Sequence, residues 1–178
     1  MKLHINWRRV IAWSFVVLTA ASAVNLVLEA RTYFLFYAAL DEAQFTVQAI
    51  SLQQLSSNTS RIVIQILGTN PEDYSGLKVT LIIGTAYFAS LNYTLFYNTP
   101  LEGLLEIGQA LPPKGSASWN LTIPVGSQDN TALQAFYEAH HPNITAAVSL
   151  VVEMSTFLDK VLGLPTQLAP IQQNATLT

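Results

Sequence analysis

The chain has 178 residues, of which 51% are hydrophobic and 11% are charged, and it contains no cysteine. Soluble domains usually carry about a quarter charged residues, so this deficit indicates a membrane segment or an unusually uncharged surface. Residues 1–31 hold four basic and one acidic residue, whereas residues 32–178 hold four basic and ten acidic residues. The acidic main body argues against nucleic acid as a partner. The lack of cysteine excludes disulfides, thiol catalysis and Cys-ligated zinc.

The first predicted element is a transmembrane helix over residues 10–28, a stretch without charge. Its length of about 28 Å approaches the ~30 Å hydrocarbon core of a bilayer. Lys2, Arg8 and Arg9 precede it, so the positive-inside rule predicts that residues 1–9 are cytoplasmic. We therefore expect a single-pass protein of the plasma membrane whose main domain is extracellular.

A cleaved signal peptide is the alternative interpretation of this segment, and Ala-Ser-Ala at 21–23 resembles a cleavage site. The apolar run is longer than the ~7–15 residues usual for the hydrophobic region of a signal peptide. We therefore expect a retained signal anchor.

The helix is predicted to continue beyond the membrane as a neck over residues 29–43. Extending the span to residue 40 gives a length of about 46 Å, which is too long to lie wholly in a bilayer. Tyr33, Phe36, Tyr37 and Leu40 share one face of the neck. This face is either an aromatic belt at the lipid headgroups or a docking face for another membrane protein.

Polar residues form a second stripe along the helix, consisting of Thr19, Ser22, Asn25 and Glu29. Such residues commonly hydrogen-bond a neighbouring helix in the membrane, although they can also be tolerated without one. We expect helix 10–40 to contact other membrane-protein subunits through this stripe and through the aromatic face.

From residue 44 to 162 the hydrophobic period changes to two, which is the period of half-buried strands. Alternation begins at 45–51 and recurs in five sets: Ile62, Ile64 and Ile66; Val79, Leu81 and Ile83; Tyr93, Leu95 and Tyr97; Trp119, Leu121, Ile123 and Val125; Ile144, Ala146, Val148, Leu150 and Val152. Turn signals such as Asn70-Pro71 separate the sets. The spacing predicts a mainly β domain, an antiparallel β-sandwich, with one short helix over 131–140.

Residues 163–178 form an uncharged tail that is predicted to be extended. Pro165 and Pro170 favour extended chain, so the tail is either a last edge strand or a flexible segment. A third possibility is that it adds to the sheet edge of a neighbouring molecule.

Five of the ten asparagines stand in Asn-X-Ser/Thr acceptor sites for N-linked sugar: Asn58, Asn92, Asn120, Asn143 and Asn174. Asn92, Asn120 and Asn143 fall on the polar faces of predicted strands, and Asn58 falls in a loop. A bulky sugar requires such exposed positions, although asparagine avoids core faces in any case. The number of these sites and their positions on polar strand faces and in a loop predict a glycosylated, exported domain.

Signals for catalysis are weak. His140 and His141 are the weak metal candidates, but adjacent side chains diverge on a helix and no third ligand has suitable spacing. The chain has no nucleophile motif of the G-x-S-x-G or S-x-x-K type and no phosphate-binding glycine loop. We expect no catalytic residue, no metal and no cofactor apart from covalent N-glycans.

Three stretches carry a family resemblance. They are ILGTNPEDYSGLKVTLIIGTAYF with its strand–Asn-Pro–strand pattern, ALPPKGSASWNLTIPVG, and the helix 131–140 followed by a strand over 144–154. Together they resemble the LEA14-like family (LEA-2, water-stress and hypersensitive response) of β-sandwich domains, which in archaea commonly follow a single membrane anchor. Over residues 45–165 the resemblance implies an immunoglobulin-like sandwich with a non-enzymatic role, and it transfers no site residues.

The function expected from the sequence is that of a non-catalytic accessory subunit of a larger membrane complex. One alternative is a filament or cell-envelope building block similar to archaeal type IV pilins, with which Arg8-Arg9 is compatible but Glu29 and Arg31 fit poorly. Another is a free-standing LEA14-like surface or stress-protective domain. A third is an enzyme that uses the two adjacent histidines.

Overall fold

The structure is a computed structural model that describes residues 6–56, 59–88, 101–155, 159 and 166–178, with backbone alone at 101, 102, 128 and 129. Within these ranges the chain forms, in order, α1 (Trp7–Glu42), β1 (Gln44–Ser56), β2 (Thr59–Asn70), β3 (Lys78–Phe88), β4 (Leu101–Ala110), β5 (Gly115–Val125), α2 (Ser127–His140), β6 (Thr145–Ser155) and β7 (Gln167–Thr176). Helix α2 begins ahead of its predicted start at residue 131.

The strands form two antiparallel sheets. Sheet A has the order β1-β2-β5, and sheet B has the order β4-β3-β6-β7. This arrangement confirms the predicted mainly β sandwich with a short helix, preceded by a long N-terminal helix. The order corresponds to that of immunoglobulin constant domains except at the fourth strand, which here pairs with the third strand in the opposite sheet.

The core lies between the sheets and follows the predicted alternation in β2, β5 and β6. The alternate side chains of β2, at Ile62, Ile64 and Ile66, are fully buried. They pair in register with β5, where Ile64 lies opposite Leu121. Burying such branched apolar side chains contributes about 1.5–3 kcal/mol each relative to exposure, which explains why the register is fixed so strongly.

The predicted assignment of β3 side chains to the core face and the outer face is wrong beyond the first residues of the strand. Val79 is buried as expected, but a β-bulge interrupts the pairing with both neighbouring strands between Val79 and Leu81. After this bulge Ile82 is buried, whereas Leu81 and Ile83 lie half-buried on the outer face. One extra residue reverses the facing of every later side chain. The predicted set Tyr93, Leu95 and Tyr97 lies outside the described residues.

The end of the chain forms the edge strand β7, which pairs with β6 of the same molecule. The side-chain amide of Gln173 accepts a hydrogen bond from Val47 N at 2.9 Å and donates one to Val47 O at 3.0 Å. Thr178 N donates to Ile50 O at 2.8 Å, and the Leu177 side chain between them is fully buried. The last residues therefore connect the edge of sheet B to the edge of sheet A.

Helix α1 has 36 residues and is therefore about 54 Å long. It is long and apolar enough to span a membrane. Its side chains are exposed from Trp7 to Thr32, while Phe36 and Ala39 are buried against the sandwich. The helix thus consists of an uncovered apolar part and a packed neck.

Candidate interaction site

The junction between the neck and the sandwich is built around three side chains. Phe36 is only 2% exposed, and its ring centroid lies 6.3 Å from that of Tyr74, in the turn between β2 and β3. Ala39, one helical turn later, is fully buried on the same face. The neck is therefore packed into the hydrophobic core and is not a free linker.

The Asn70-Pro71 turn holds Tyr74 in place. The fully buried Asn70 amide donates from Nδ2 to Tyr74 O at 2.9 Å, and its Oδ1 accepts from Glu72 N at 3.0 Å. Asparagine forms such side-chain turns readily, and the ring of Pro71 fixes the φ angle of that proline. A Cβ atom at Gly76 would overlap the Tyr74 ring, so glycine is required there for the ring to lie flat on the turn. The Asn-Pro pattern thus has a structural role at the helix junction.

A buried carboxyl group lies near two tyrosines of this junction. Asp159 is 5% exposed. Burial raises the pKa of Tyr74 above its ordinary value of 10.0, and the charge of Asp159 adds to the effect. The hydrogen bond with Tyr37 raises the pKa of Tyr33, with burial and the charges of Tyr37 and Asp159 acting in the same direction. Both phenols are therefore neutral at physiological pH.

The predicted aromatic docking face is divided by this packing. Phe36 is covered by the chain's own sandwich and is not available to a partner, which corrects its assignment as a contact residue. Its hydrophobic neighbours on the sandwich explain the difference, because a helix buries its most apolar stripe wherever a core is within reach. Tyr37 is 44% exposed, and Tyr33 and Leu40 are half-buried. Contact of these three with a partner stays a prediction.

The polar stripe of α1 forms hydrogen bonds within its own helix. Thr19 Oγ1 donates to Phe15 O at 2.8 Å, and Asn25 Nδ2 donates to Glu29 Oε1 at 3.0 Å. Ser22 is exposed on the same helix. The Asn25–Glu29 pair retains acceptor oxygens that a neighbouring helix can use. The predicted contact through this stripe stays a prediction.

The described acceptor asparagines are all exposed. Asn120 lies on the outer face of β5, Asn143 lies in the connection from α2 to β6, and Asn174 lies on the outer face of β7. Each position has room for a bulky sugar. Asn58 and Asn92 lie outside the described residues.

The rings of the two histidines lie against aromatic side chains of α2. The Nδ1 atom of His140 lies 3.0 Å from Phe136 O, and its ring stacks on that of Phe136 with centroids 4.5 Å apart. His141 lies beside Tyr137 instead, with ring centroids 4.7 Å apart. Among the residues that the structure describes, no group of three His, Asp or Glu side chains is arranged to hold a metal ion.

The outer face of sheet B was missed by sequence reasoning. Its apolar side chains come partly from β4, whose sequence LEGLLEIGQA lacks clear alternation, and partly from β3 after the bulge. The signal that could have found it is the excess of apolar residues in β3, where Leu81, Ile82 and Ile83 follow one another and cannot all face the core.

No protein-family model matches the chain, and no curated protein matches it. Among solved structures, a protein from Archaeoglobus fulgidus is 9% identical, with a TM-score of 0.45 over 77% of this chain and 94% of its own. A late embryogenesis abundant (LEA) protein in solution is 17% identical, with a TM-score of 0.43 over 91% of this chain and 87% of its own. The LEA14-like family resemblance of the sequence stays a prediction.

Proposed function

We propose that this protein is a membrane-anchored, extracytoplasmic and N-glycosylated accessory subunit of a larger membrane complex, without catalytic activity. The observation that carries the proposal is the continuous helix α1, whose apolar part is uncovered while its neck is packed into the sandwich. Such a helix transmits the position of an intramembrane contact directly to the outer domain, which a flexible linker does not.

The charges at the two ends of α1 support the proposed orientation. Arg8 and Arg9 lie in its first turn, and Asp41 and Glu42 lie in its last turn. Both pairs oppose the helix dipole, which favours anions at the N-terminus and cations at the C-terminus. Helix stability does not explain this arrangement, whereas retention of the basic end in the cytoplasm does.

The intramembrane contact is proposed to involve the polar stripe. The Asn25–Glu29 pair is exposed near the outer end of the apolar part, so in a bilayer its oxygens face lipid unless a neighbour covers them. Interhelical hydrogen bonds of this kind are worth roughly 0.6–2 kcal/mol. Tyr37 extends the same contact above the membrane.

The test is mild detergent extraction from native membranes, native-mass separation and identification of the co-migrating proteins. The proposal expects a defined assembly with other membrane subunits, and it expects Asn25→Leu with Glu29→Leu to release this chain without unfolding its sandwich. Migration as a lone protomer would favour the free-standing LEA14-like surface domain. Polymers made of this chain alone would establish that it is a filament building block. Unchanged co-purification of the double variant would remove the stripe as the contact.

A further inference from the structure

Sheet B presents an apolar row on its outer face that crosses all four strands. The register places Leu104 of β4 beside Ile83 of β3, Ile83 beside Val151 of β6, and Val151 beside Pro170 of β7. Leu104 is 62% exposed. A contiguous apolar row of this kind on a protein surface is a candidate contact surface for another protein.

The next row towards the helix end of the sandwich combines apolar and acidic side chains. It runs Glu106, Leu81, Glu153 and Leu168 across the same four strands, and Leu168 is 63% exposed. The two glutamates and Leu81 line a groove of about 490 Å³, with Gly108 at its wall. Two carboxylates thus flank one leucine at the edge of the apolar row.

Neither carboxylate belongs to an ion pair among the residues that the structure describes. The ion pair found in the described part of the chain joins Lys114, between β4 and β5, to Asp73, between β2 and β3. It includes neither glutamate. Lys78 reaches Gly108 but forms no ion pair with Glu106 or Glu153. The main body as a whole carries four basic and ten acidic residues. Two carboxylates beside the single Lys78 leave this face acidic, and a cationic partner would complement it.

Packing of a second copy about an axis along the strands is disfavoured, because Glu106 and Glu153 of both copies would then lie in one row.

The described sugar acceptors lie outside the apolar row. Asn120 lies in the other sheet, and Asn174 lies opposite Ala147, beyond the Val151 position by four residues along β6. Four residues of a strand span about 13 Å.

We propose that the outer face of sheet B, defined by Leu104, Ile83, Val151, Pro170, Leu81 and Leu168 with Glu106 and Glu153, binds a protein surface that has an apolar centre and flanking Lys or Arg side chains. The inference deepens the proposed function, on which it rests, by naming the surface and the chemistry of the partner subunit. Apolar contacts supply the binding energy, and the two carboxylates select the cationic partner and fix its register.

The test is photo-crosslinking in native membranes from a benzophenone amino acid that replaces Leu104. A matched probe at Thr46, exposed on the outer face of sheet A, serves as the control. We expect one protein adduct of defined mass from position 104 and none from position 46. The crosslinked peptide of the partner is expected to contain Lys or Arg beside apolar residues. Glu106→Lys with Glu153→Lys is expected to reduce the adduct at least tenfold.

The double variant Glu106→Gln with Glu153→Gln removes both charges without reversing them and is the control for misfolding of the lysine variant. We expect its sandwich to stay folded and its adduct yield to fall only partially. An adduct of twice the chain mass, a lipid adduct, no adduct, or an adduct indifferent to charge reversal would each overturn the inference. If a larger assembly still appears in the native-mass separation, only the assigned surface is wrong. If the chain migrates as a lone protomer, the proposed function fails as well.

Discussion

Asn70 shows at the residue scale how one buried polar side chain connects the anchor to the domain. Its amide bonds two backbone groups of the turn and so positions Tyr74, on which Phe36 packs. The sequence predicts the turn from Asn-Pro, but it does not predict that the turn faces a helix thirty or more residues earlier. That contact depends on tertiary packing, which local propensities do not contain.

Asn70→Ala is expected to destabilise the sandwich by about 1–3 kcal/mol, because it leaves the Tyr74 carbonyl and the Glu72 N–H without partners. The measurement is urea unfolding of the full chain in detergent, followed by Trp119 fluorescence in a Trp7→Phe, Trp13→Phe background. Asn120→Ala, at an exposed position in unglycosylated protein, is the matched control and should change stability by less than about 0.5 kcal/mol. Equal effects of the two changes would contradict the role assigned to Asn70.

The tyrosines of the junction predict a pH dependence. Because the folded-state pKa of Tyr74 is raised above 10.0, the stability linked to its proton is fully present below that pH and is lost as the pH rises through the folded pKa. We expect the unfolding free energy of the full chain to fall in this alkaline range. Tyr74→Phe should make this alkaline decrease in the unfolding free energy smaller, and the decrease that remains is assigned to Tyr33. An identical pH profile in the variant would show that Tyr74 does not titrate in contact with the core.

At the element scale, the strands with regular alternation could be predicted, whereas β4 and the side-chain facing of β3 after its bulge could not. Ile62 to Ile66 and Trp119 to Val125 alternate because one face of each strand packs in the core. β4 is missed because Gly103 and Gly108 interrupt its pattern, and β3 is misphased because a bulge leaves no mark in the sequence. Pro124 and Pro170 both fall on edge strands, β5 and β7, where a missing N–H disrupts no interior ladder. In this chain the positions of proline therefore indicate edge strands better than the pattern of hydrophobic residues does.

The neck offers a matched pair of phenylalanines. Phe36 is 2% exposed and Phe34 is 79% exposed, so Phe36→Ala should cost about 3–5 kcal/mol and Phe34→Ala less than about 0.5 kcal/mol. Hydrogen exchange over residues 33–42 should accelerate only in the Phe36 variant, because the neck is then released from the sandwich. Equal exchange in both variants would mean that the neck is held from outside the chain.

The C-terminal strand is predicted to be essential to the fold. Leu177→Ala should cost about 2–5 kcal/mol, since Leu177 is fully buried where β7 reaches β1. Gln173→Ala removes both hydrogen bonds to Val47 and should add a separate loss. Leu168→Ala, on the exposed face of the same strand, is the control and should leave the urea midpoint nearly unchanged.

At the scale of the whole molecule, the charge distribution predicts the orientation in the membrane. The chain has no cysteine, so a Ser127→Cys variant provides one label site at an exposed position of the outer domain. A membrane-impermeant maleimide should label intact cells that carry this variant. Adding Arg8→Glu and Arg9→Glu should reduce the labelled fraction severalfold, whereas Lys114→Glu should not. Labelling that is unaffected by the arginine changes would contradict the positive-inside assignment.

The hydrogen bonds from β7 and residue 178 to β1 impose an order on biogenesis. Val47 and Gln173 are 126 residues apart in the chain, so the sandwich closes only after nearly all of the domain has been synthesised. Contacts of such long range form late and slowly. In the orientation that we propose, the segment that carries Asn143 therefore emerges before Leu177, whose N–H donates to the neighbouring Ile144 O. For the glycosylated protein that we propose, sugar transfer to Asn143 and closure of the sandwich then compete for the same interval, so a faster-closing variant is expected to be less glycosylated.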